Sequence, residues 1–287
     1  MLAALARGSF VPAADAAKRL AALPASFVRL EATNGGRLGV AVLDTGTGER
    51  AGHRENERFA MCSSFKFLLA CAVLRKADHH EESLGREIPI PPEPLLSHSP
   101  FTKPFAGKTM TVAALCEAVL VQSDNTAANA LLESIGGPPG ITQFSRSIGD
   151  GVTRLDRTEL ALNEARDGDP RDTTSPRSMV GDLQALVLGN VLSQTSRAQL
   201  TLWMEKSQTG LDRLRQKLPP GWRAADKTGS NGEHTCGDIA VFWPPGRPPV
   251  IIAAYITQCP GPEAKRAAML AEIGRLVAQA LDPRPTV

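Results

Sequence analysis

The sequence lacks the features that would point to several common function classes. No apolar run approaches the roughly 20 residues needed to span a bilayer. The longest greasy stretch, "FKFLLACAVL" at 65–74, reads instead as a buried core helix. The 32 basic and 30 acidic side chains nearly cancel, to a formal net charge of +2, and no basic stripe is interleaved with aromatics. Nucleic-acid binding therefore has no electrostatic footprint. The cysteines (Cys62, Cys71, Cys116, Cys236 and Cys259) are odd in number, so they cannot all pair internally, and no CxxC or Cys/His cluster has metal-ligand spacing. The histidines (His53, His79, His80, His98 and His234) are scattered as well, so neither a metal nor another cofactor is expected. There are no repeats or low-complexity segments.

What is present is an ordinary globular composition: 287 residues, 42% hydrophobic and 22% charged, enough for one large domain or two. The opening "MLAALARGSFVPAADAAKRL" reads in two compatible ways. It is the tail of an export signal without its basic beginning, or the frayed start of an amphipathic helix through "AADAAKRLAALPASF".

"GRLGVAVLDTGTGERAGHRENERFAM" then carries an apolar run, a Thr-Gly-Thr-Gly turn and a more polar return, the signal of a β-hairpin. From Cys62 to about Lys206 the pattern is helical, with segments near 63–77, 110–121, 124–135, 139–147, 176–189 and 195–206, punctuated by glycine and proline. Strand-like sequence returns after "LPPGW", with Asn231-Gly232 as one hairpin turn and "GRPP" as a second connection. A closing amphipathic helix has apolar residues at 268, 269, 273, 276, 277 and 280. With strands at both ends and helices between, the economical fold is of the α/β (α+β) class. A five-stranded antiparallel sheet is flanked by the terminal helices and interrupted by an all-helical insertion. The expected boundaries are 1–54 and 208–287 for a discontinuous α/β domain, and 55–207 for the helical one. A cleft between two such parts is a usual place for a site. Residues 153–176, rich in charge and turn-formers, read as a long functional loop or a mobile surface loop, closed by an Arg157–Asp172 ion pair.

Ser63 and Lys66, three apart, share a helix face. A lysine in an apolar wall loses solvation, which favours its neutral, proton-accepting form. Serine is a weak nucleophile until such a base adjoins it, and N–H groups at the helix start suit a developing oxyanion. Alone, the same spacing also describes a snorkelling lysine beside a helix cap. Ser123-Asp124-Asn125 lies between two helical segments, and Lys227-Thr228-Gly229 on a strand before the Asn-Gly turn. Separately, the first is a fair N-cap and the second a fair strand end.

In this order and spacing the three motifs resemble those of the serine penicillin-recognising enzymes. "RTELALN" at 157–163, with Glu159 and Asn163 four apart, resembles the omega loop of class A β-lactamases, here spanning 154–172. The resemblance runs from the first hairpin to the last helix. It implies that Ser63 attacks the lactam carbonyl, with its own N–H and that of Ser230 as oxyanion hole. It implies Lys66, or Glu159 through a water, as the base for acylation, and Glu159 with Asn163 as holders of the deacylating water. Ser123 would relay a proton to the leaving nitrogen, helped by Lys227. Asn125 would hold the substrate's side-chain amide. Lys227, Thr228 and Ser230 would receive its carboxylate, beside Gly229 and Asn231. Arg213 matches the arginine place of a subset of the family, while Cys236 stands where other members carry that arginine. His98 matches the gatekeeper at the rim, and Asn129 and the Arg157–Asp172 pair match supports of the loop.

Three departures stand out. Leu160 follows Glu159 where many members have proline, so a cis bond there would be non-prolyl. Cys116 fits one half of a disulfide known in part of the family, but Cys71 comes one residue late, a rotation of roughly 100° on a helix, which argues against the bridge. Cys62 matches a cysteine of carbapenem-hydrolysing members whose partner position is Asn231 here, so that bridge is not expected; whether Cys236 substitutes is open. The resemblance also leaves three activities: β-lactam hydrolysis, a D,D-peptidase or transpeptidase, and a non-hydrolytic β-lactam sensor. Glu159 discriminates among them, because only the hydrolase needs it. Ser230, Arg213 and His98 occur in members of broad cephalosporin or carbapenem range. Family membership further implies an exported, periplasmic or secreted monomer.

Overall fold

The computed structural model describes residues 13–282. The stretch on which the export-signal reading mostly falls, residues 1–12, lies outside the described residues. The first helix, α1 (Ala13–Asn34), sets Ala16, Leu20, Leu23 and Phe27 on one buried stripe. It leads into the hairpin β1 (Arg37–Asp44) and β2 (Arg50–His53), and then into a short strand, β3 (Phe59–Ala60). The central region comprises α2 (Phe65–Asp78), β4 (Glu87–Pro89), β5 (Thr109–Thr111), α3 (Val112–Val121), α4 (Asn125–Ser134), α5 (Pro138–Ser147), β6 (Thr173–Thr174), α6 (Pro176–Leu183) and α7 (Gln194–Glu205). Three strands and a helix complete it: β7 (Arg223–Ser230), β8 (Cys236–Trp243), β9 (Val250–Thr257) and α8 (Glu263–Leu281).

The principal sheet is antiparallel throughout, in the order β2-β1-β9-β8-β7, so a strand from each end of the sequence lies at its centre. Strand alternation sends side chains to two faces. Val40, Val42, Ala240, Phe242, Ile252 and Ala254 pack under α1 and α8. Ala41, Leu43, Ile239, Val241, Ile251 and Tyr255 belong to a separate core shared with the central helices. With both faces covered, β9 ("VIIAAYIT") is buried along its whole length and shows no polar alternation.

At the middle of the second core runs α2, whose residues Phe65 to Leu74 are all buried. The glycine-proline punctuation at 136–139 marks the end of α4 and the start of α5 well. Two segments depart from the expected helices for non-local reasons. Residues 109–111 pair with 87–89 as β5 and β4, so the helix there begins only at Val112, where the Thr111 hydroxyl accepts the Ala114 N–H. Regular helix also stops at Leu183 instead of continuing to 189, and wider turns carry the chain to Gly189. Two small two-stranded ribbons, β3–β6 and β4–β5, were not legible in the periodicity. Among the described residues no helix is long and apolar enough to cross a membrane, and no group of three or more His, Cys, Asp or Glu side chains could hold a metal. All five thiols are buried and unpaired.

Helix α8 approaches the rest of the fold closely enough that one position must be glycine. A Cβ on Gly274 would lie 1.9 Å from the Leu214 carbonyl oxygen. Gly274→Ala is therefore expected to destabilise the protein by about 1–3 kcal/mol through overpacking. The loss would be read as a lower urea midpoint at unchanged slope.

Candidate active site

The approach to the cleft is fixed by backbone contacts. Phe59 and Ala60 pair with Thr174 and Thr173, and the Met61 N–H donates to the Asp172 carbonyl at 2.9 Å, tying the exit of the long loop to the turn at 62–64. Cys62 adopts φ 44°, a left-handed conformation costly for a non-glycine residue. One tight turn later α2 begins. Ser64 secures that turn, donating through both its N–H and its hydroxyl to the Met61 carbonyl, with the Tyr255 hydroxyl 3.3 Å from Ser64 Oγ. From Met61 to Leu74 the sole residue not buried is Ser63. The result is a single accessible hydroxyl at the mouth of an otherwise closed helix.

Lys66, fully buried, points its ammonium back at Ser63 Oγ, 3.0 Å away. The same nitrogen donates to the Ser123 carbonyl at 2.7 Å and to Asn125 Oδ1 at 2.6 Å, and pairs with Glu159 Oε1 at 2.9 Å. Burial pushes the Lys66 ammonium below the ordinary lysine value, and the Glu159 carboxylate opposes part of that shift. Glu159 Oε1 also lies 3.4 Å from Ser63 Oγ, so acid, amine and hydroxyl form a closed triangle.

Ser123 and Asn125 reach the cleft because Asp124 holds the turn between α3 and α4. Its buried carboxylate caps α4 through the Ala127 N–H and also accepts from the Phe101 and Thr102 N–H groups and the Thr102 hydroxyl. Ser123 itself sits at φ 59°. Asn125 is anchored by its Nδ2, which donates to the Ser97 carbonyl at 2.8 Å. From the sheet side Lys227, also fully buried, donates to Ser123 Oγ at 3.0 Å and to the Thr228 carbonyl. Burial, reinforced by the Lys66 charge, holds its ammonium well below the usual lysine range. Gly229 lets β7 lie against the nucleophile turn, since a Cβ there would meet the Met61 carbonyl at 2.3 Å.

The loop 154–172 is held at three points. Asp172, nearly fully buried, receives the Asp156 and Arg157 N–H groups and the Arg157 guanidinium at 2.6 Å, and Arg157 bonds Glu164 as well. The Asn129 amide grips the Glu159 main chain twice, its Nδ2 donating to the carbonyl and its Oδ1 accepting the N–H. The peptide bond from Glu159 to Leu160 is cis. Finally, Asn163 Nδ2 donates to Glu159 Oε2 at 2.6 Å, while its buried Oδ1 accepts no hydrogen bond from the protein.

The structure thus brings Ser63, Lys66, Ser123, Asn125, Glu159, Asn163 and Lys227 into one hydrogen-bonded constellation. The remaining sequence-derived positions line its edges. Ser230 Oγ accepts the Gly232 N–H, and Thr228 Oγ1 bonds Thr209 Oγ1. Asn231 spends its Oδ1 on the N–H groups of Glu233, His234 and Thr235 within its own turn. Arg213 is buried beneath β7, donating to the Gly229 and Gly237 carbonyls and pairing with Glu263 at 2.8 Å. His98 bonds the Gln122 carbonyl and accepts the Asn125 N–H on its own carbonyl. Ser97, Thr102 and Thr209 escaped the sequence reading. They act through contacts between distant segments and carry no local signal.

A sequence profile of the Beta-lactamase enzyme family matches residues 16–281. "Beta-lactamase L2" of Stenotrophomonas maltophilia is 48% identical over 95% of this chain and 90% of its own length. "Carbapenem-hydrolyzing beta-lactamase KPC" of Klebsiella oxytoca is 43% identical over 89% of this chain and 87% of its own. Among solved structures, an ancestral class A β-lactamase superposes with a TM-score of 0.88 at 53% identity, covering 90% of this chain and 99% of that one.

The burial of Lys66 beside Glu159 makes a signed prediction for its titration. In NMR of side-chain-labelled lysine, the Lys66 midpoint should fall below the ordinary value of about 10.4, the neutral amine gaining population as pH rises through it. Glu159→Gln removes the attraction that favours the ammonium, so the midpoint should drop further; a rise would contradict the arrangement.

Proposed function

Because the chain belongs to the class A serine β-lactamases, enzymes that hydrolyse β-lactam antibiotics and confer resistance to them, we propose how its own residues divide that reaction. The observation that carries the assignment is the Lys66–Ser63–Glu159 triangle with Asn163 behind it. Lys66 Nζ, closer to Ser63 Oγ than the carboxylate is and depressed toward its neutral form by burial, takes the hydroxyl proton as the oxygen attacks the lactam carbonyl. The N–H groups of Ser63 and Ser230 receive the oxyanion. The proton then passes from Lys66 to Ser123, whose hydroxyl delivers its own proton to the departing lactam nitrogen as the C–N bond breaks. Lys227 steadies Ser123 from the other side.

Deacylation falls to Glu159. A water bonded to its carboxylate and to the unpartnered Asn163 Oδ1 is aimed at the ester carbonyl. Glu159 takes a proton from the water as it attacks, and Ser63 leaves with a proton returned to its oxygen. This second half distinguishes a hydrolase from a D,D-peptidase or a sensor, neither of which needs a carboxylate over its acyl-ester.

The substrate carboxylate docks at Thr228 and Ser230, with Lys227 and Arg213 beneath them, and the substrate's amide lies along Asn125, Gly229 and Asn231, with His98 at the entrance. We assign a broad substrate range, supported by these rim residues and by the carbapenem-hydrolysing relative. Steady-state rates on a penicillin, an oxyimino-cephalosporin and a carbapenem test it. The chain is organised as two lobes, residues 1–54 with 208–287 and residues 55–207, a reading supported by the sheet being built from both ends of the sequence with the helices between. The enzyme is exported to the periplasm or secreted, and works as a monomer without a cofactor.

Intact-mass analysis with a chromogenic cephalosporin tests the division of labour. Wild type should turn over repeatedly, and Ser63→Ala should lose both turnover and adduct. Glu159→Ala should accumulate a covalent adduct, its hydrolysis slowed by about 10²-fold or more. If Glu159→Ala fails to acylate at all, Glu159 and not Lys66 is the first base. A stable one-to-one adduct on the unmutated protein would instead mark a sensor or peptidase.

A further inference from the structure

A cavity of about 560 Å³ lies between α4 and the segment 86–96. Its size is that of a small-molecule site, roughly 300–1,000 Å³, and its walls connect to the catalytic constellation. Asn129, on one wall, grips the Glu159 peptide. Thr126 adjoins Asn125 and accepts the N–H of Leu96, which also lines the cavity. The next carbonyl along, that of Ser97, anchors Asn125. Movement of either wall is therefore one hydrogen bond away from the groups that hold Lys66 and Glu159.

The charge of the cavity is set by two side chains. Arg86 is neutralised, its Nε and Nη2 bonding the two oxygens of Glu82 at 2.8 and 2.6 Å. Glu133 is exposed and, among the described residues, makes no ion pair. One uncompensated carboxylate thus stands over walls that include Ile88, Pro94 and Leu95.

We propose that this cavity is a regulatory site for a small amphiphilic cation, an apolar aromatic body carrying an ammonium group. The ammonium pairs with Glu133, the body fills the apolar interior against Asn129, and the occupied state weakens the clamp on Glu159. A ligand shifts such an equilibrium only through unequal affinity for the two states, so the proposal requires the body to fit better when the Asn129 amide has released the Glu159 peptide. The functional half of the proposal rests on Glu159 activating the deacylating water; the binding half does not.

The test uses 1-naphthylmethylamine, with 1-naphthaleneacetic acid as its anionic counterpart. Calorimetry reads binding, and steady-state hydrolysis of a chromogenic cephalosporin reads function. The amine should bind one-to-one, roughly 5-fold more tightly than the acid, and Glu133→Gln should erase that preference. Saturating amine should lower kcat by about 5-fold or more. Ala130→Trp, which fills the cavity from α4, should abolish binding and leave turnover, at the variant's own basal rate, unresponsive to the amine; Leu95→Trp, from the opposite wall, does the same if the first variant fails to fold. No binding, or binding that survives the filled cavity, overturns the site. Equal binding of the acid overturns the cationic class. Binding that leaves hydrolysis unchanged, or raises KM alone by occupying the cleft, overturns the regulatory role.

Discussion

The structure is organised around one buried ammonium. Lys66 has lost all contact with water, and the cost of burying its charge is met by oxygens of four residues from three segments: Ser63 in the turn before its own helix, Ser123 and Asn125 across the cleft, and Glu159 on the long loop. An uncompensated buried charge costs several kcal/mol, so each of those segments is held to a position that the amine can reach. The same desolvation that makes the lysine expensive also favours its neutral form, the form able to accept a proton from the hydroxyl beside it.

Backbone geometry supplies the rest of the precision. Cys62 and Ser123 both occupy left-handed conformations beside the chemistry, where strain is tolerated only when the surroundings over-determine it. At Cys62 the surroundings are the Met61–Asp172 bond, the double bond from Ser64 to Met61, and β7 pressed close through Gly229. The nucleophile turn, the loop exit and the sheet edge are thus mutually fixed. The loop beyond is held less by burial than by two polar clamps, the Asn129 amide on the Glu159 peptide and Asp172 beneath the Arg157 guanidinium. A carboxylate that faces an amine, a hydroxyl and an amide at once cannot be fixed by packing alone, so the protein holds its main chain.

Much of this was legible in the sequence. Hairpin signals, helical periodicity and glycine-proline punctuation located the principal strands and most helices, because those elements are encoded locally by side-chain alternation and turn chemistry. Lys66 stood out because a charge within "FKFLLACAVL" conflicts with its apolar neighbours, and such conflicts mark functional sites. The three short motifs and the loop at 157–163 named the seven residues that meet in the cleft.

What the order of residues could not decide was which groups meet. The β3–β6 and β4–β5 ribbons, the Ser97, Thr102 and Thr209 anchors, and the placement of Arg213 under β7 with Glu263 all depend on contacts between segments distant in sequence. The side chain of Asn231 was legible as a turn former, but only the folded chain commits its oxygen to three N–H groups of that turn. Local sequence determines periodicity, turns and the chemical types available. Distances, burial and the resulting pKa directions belong to the tertiary structure, because a charge takes its energy from whatever surrounds it, and most of what surrounds Lys66 comes from elsewhere in the chain.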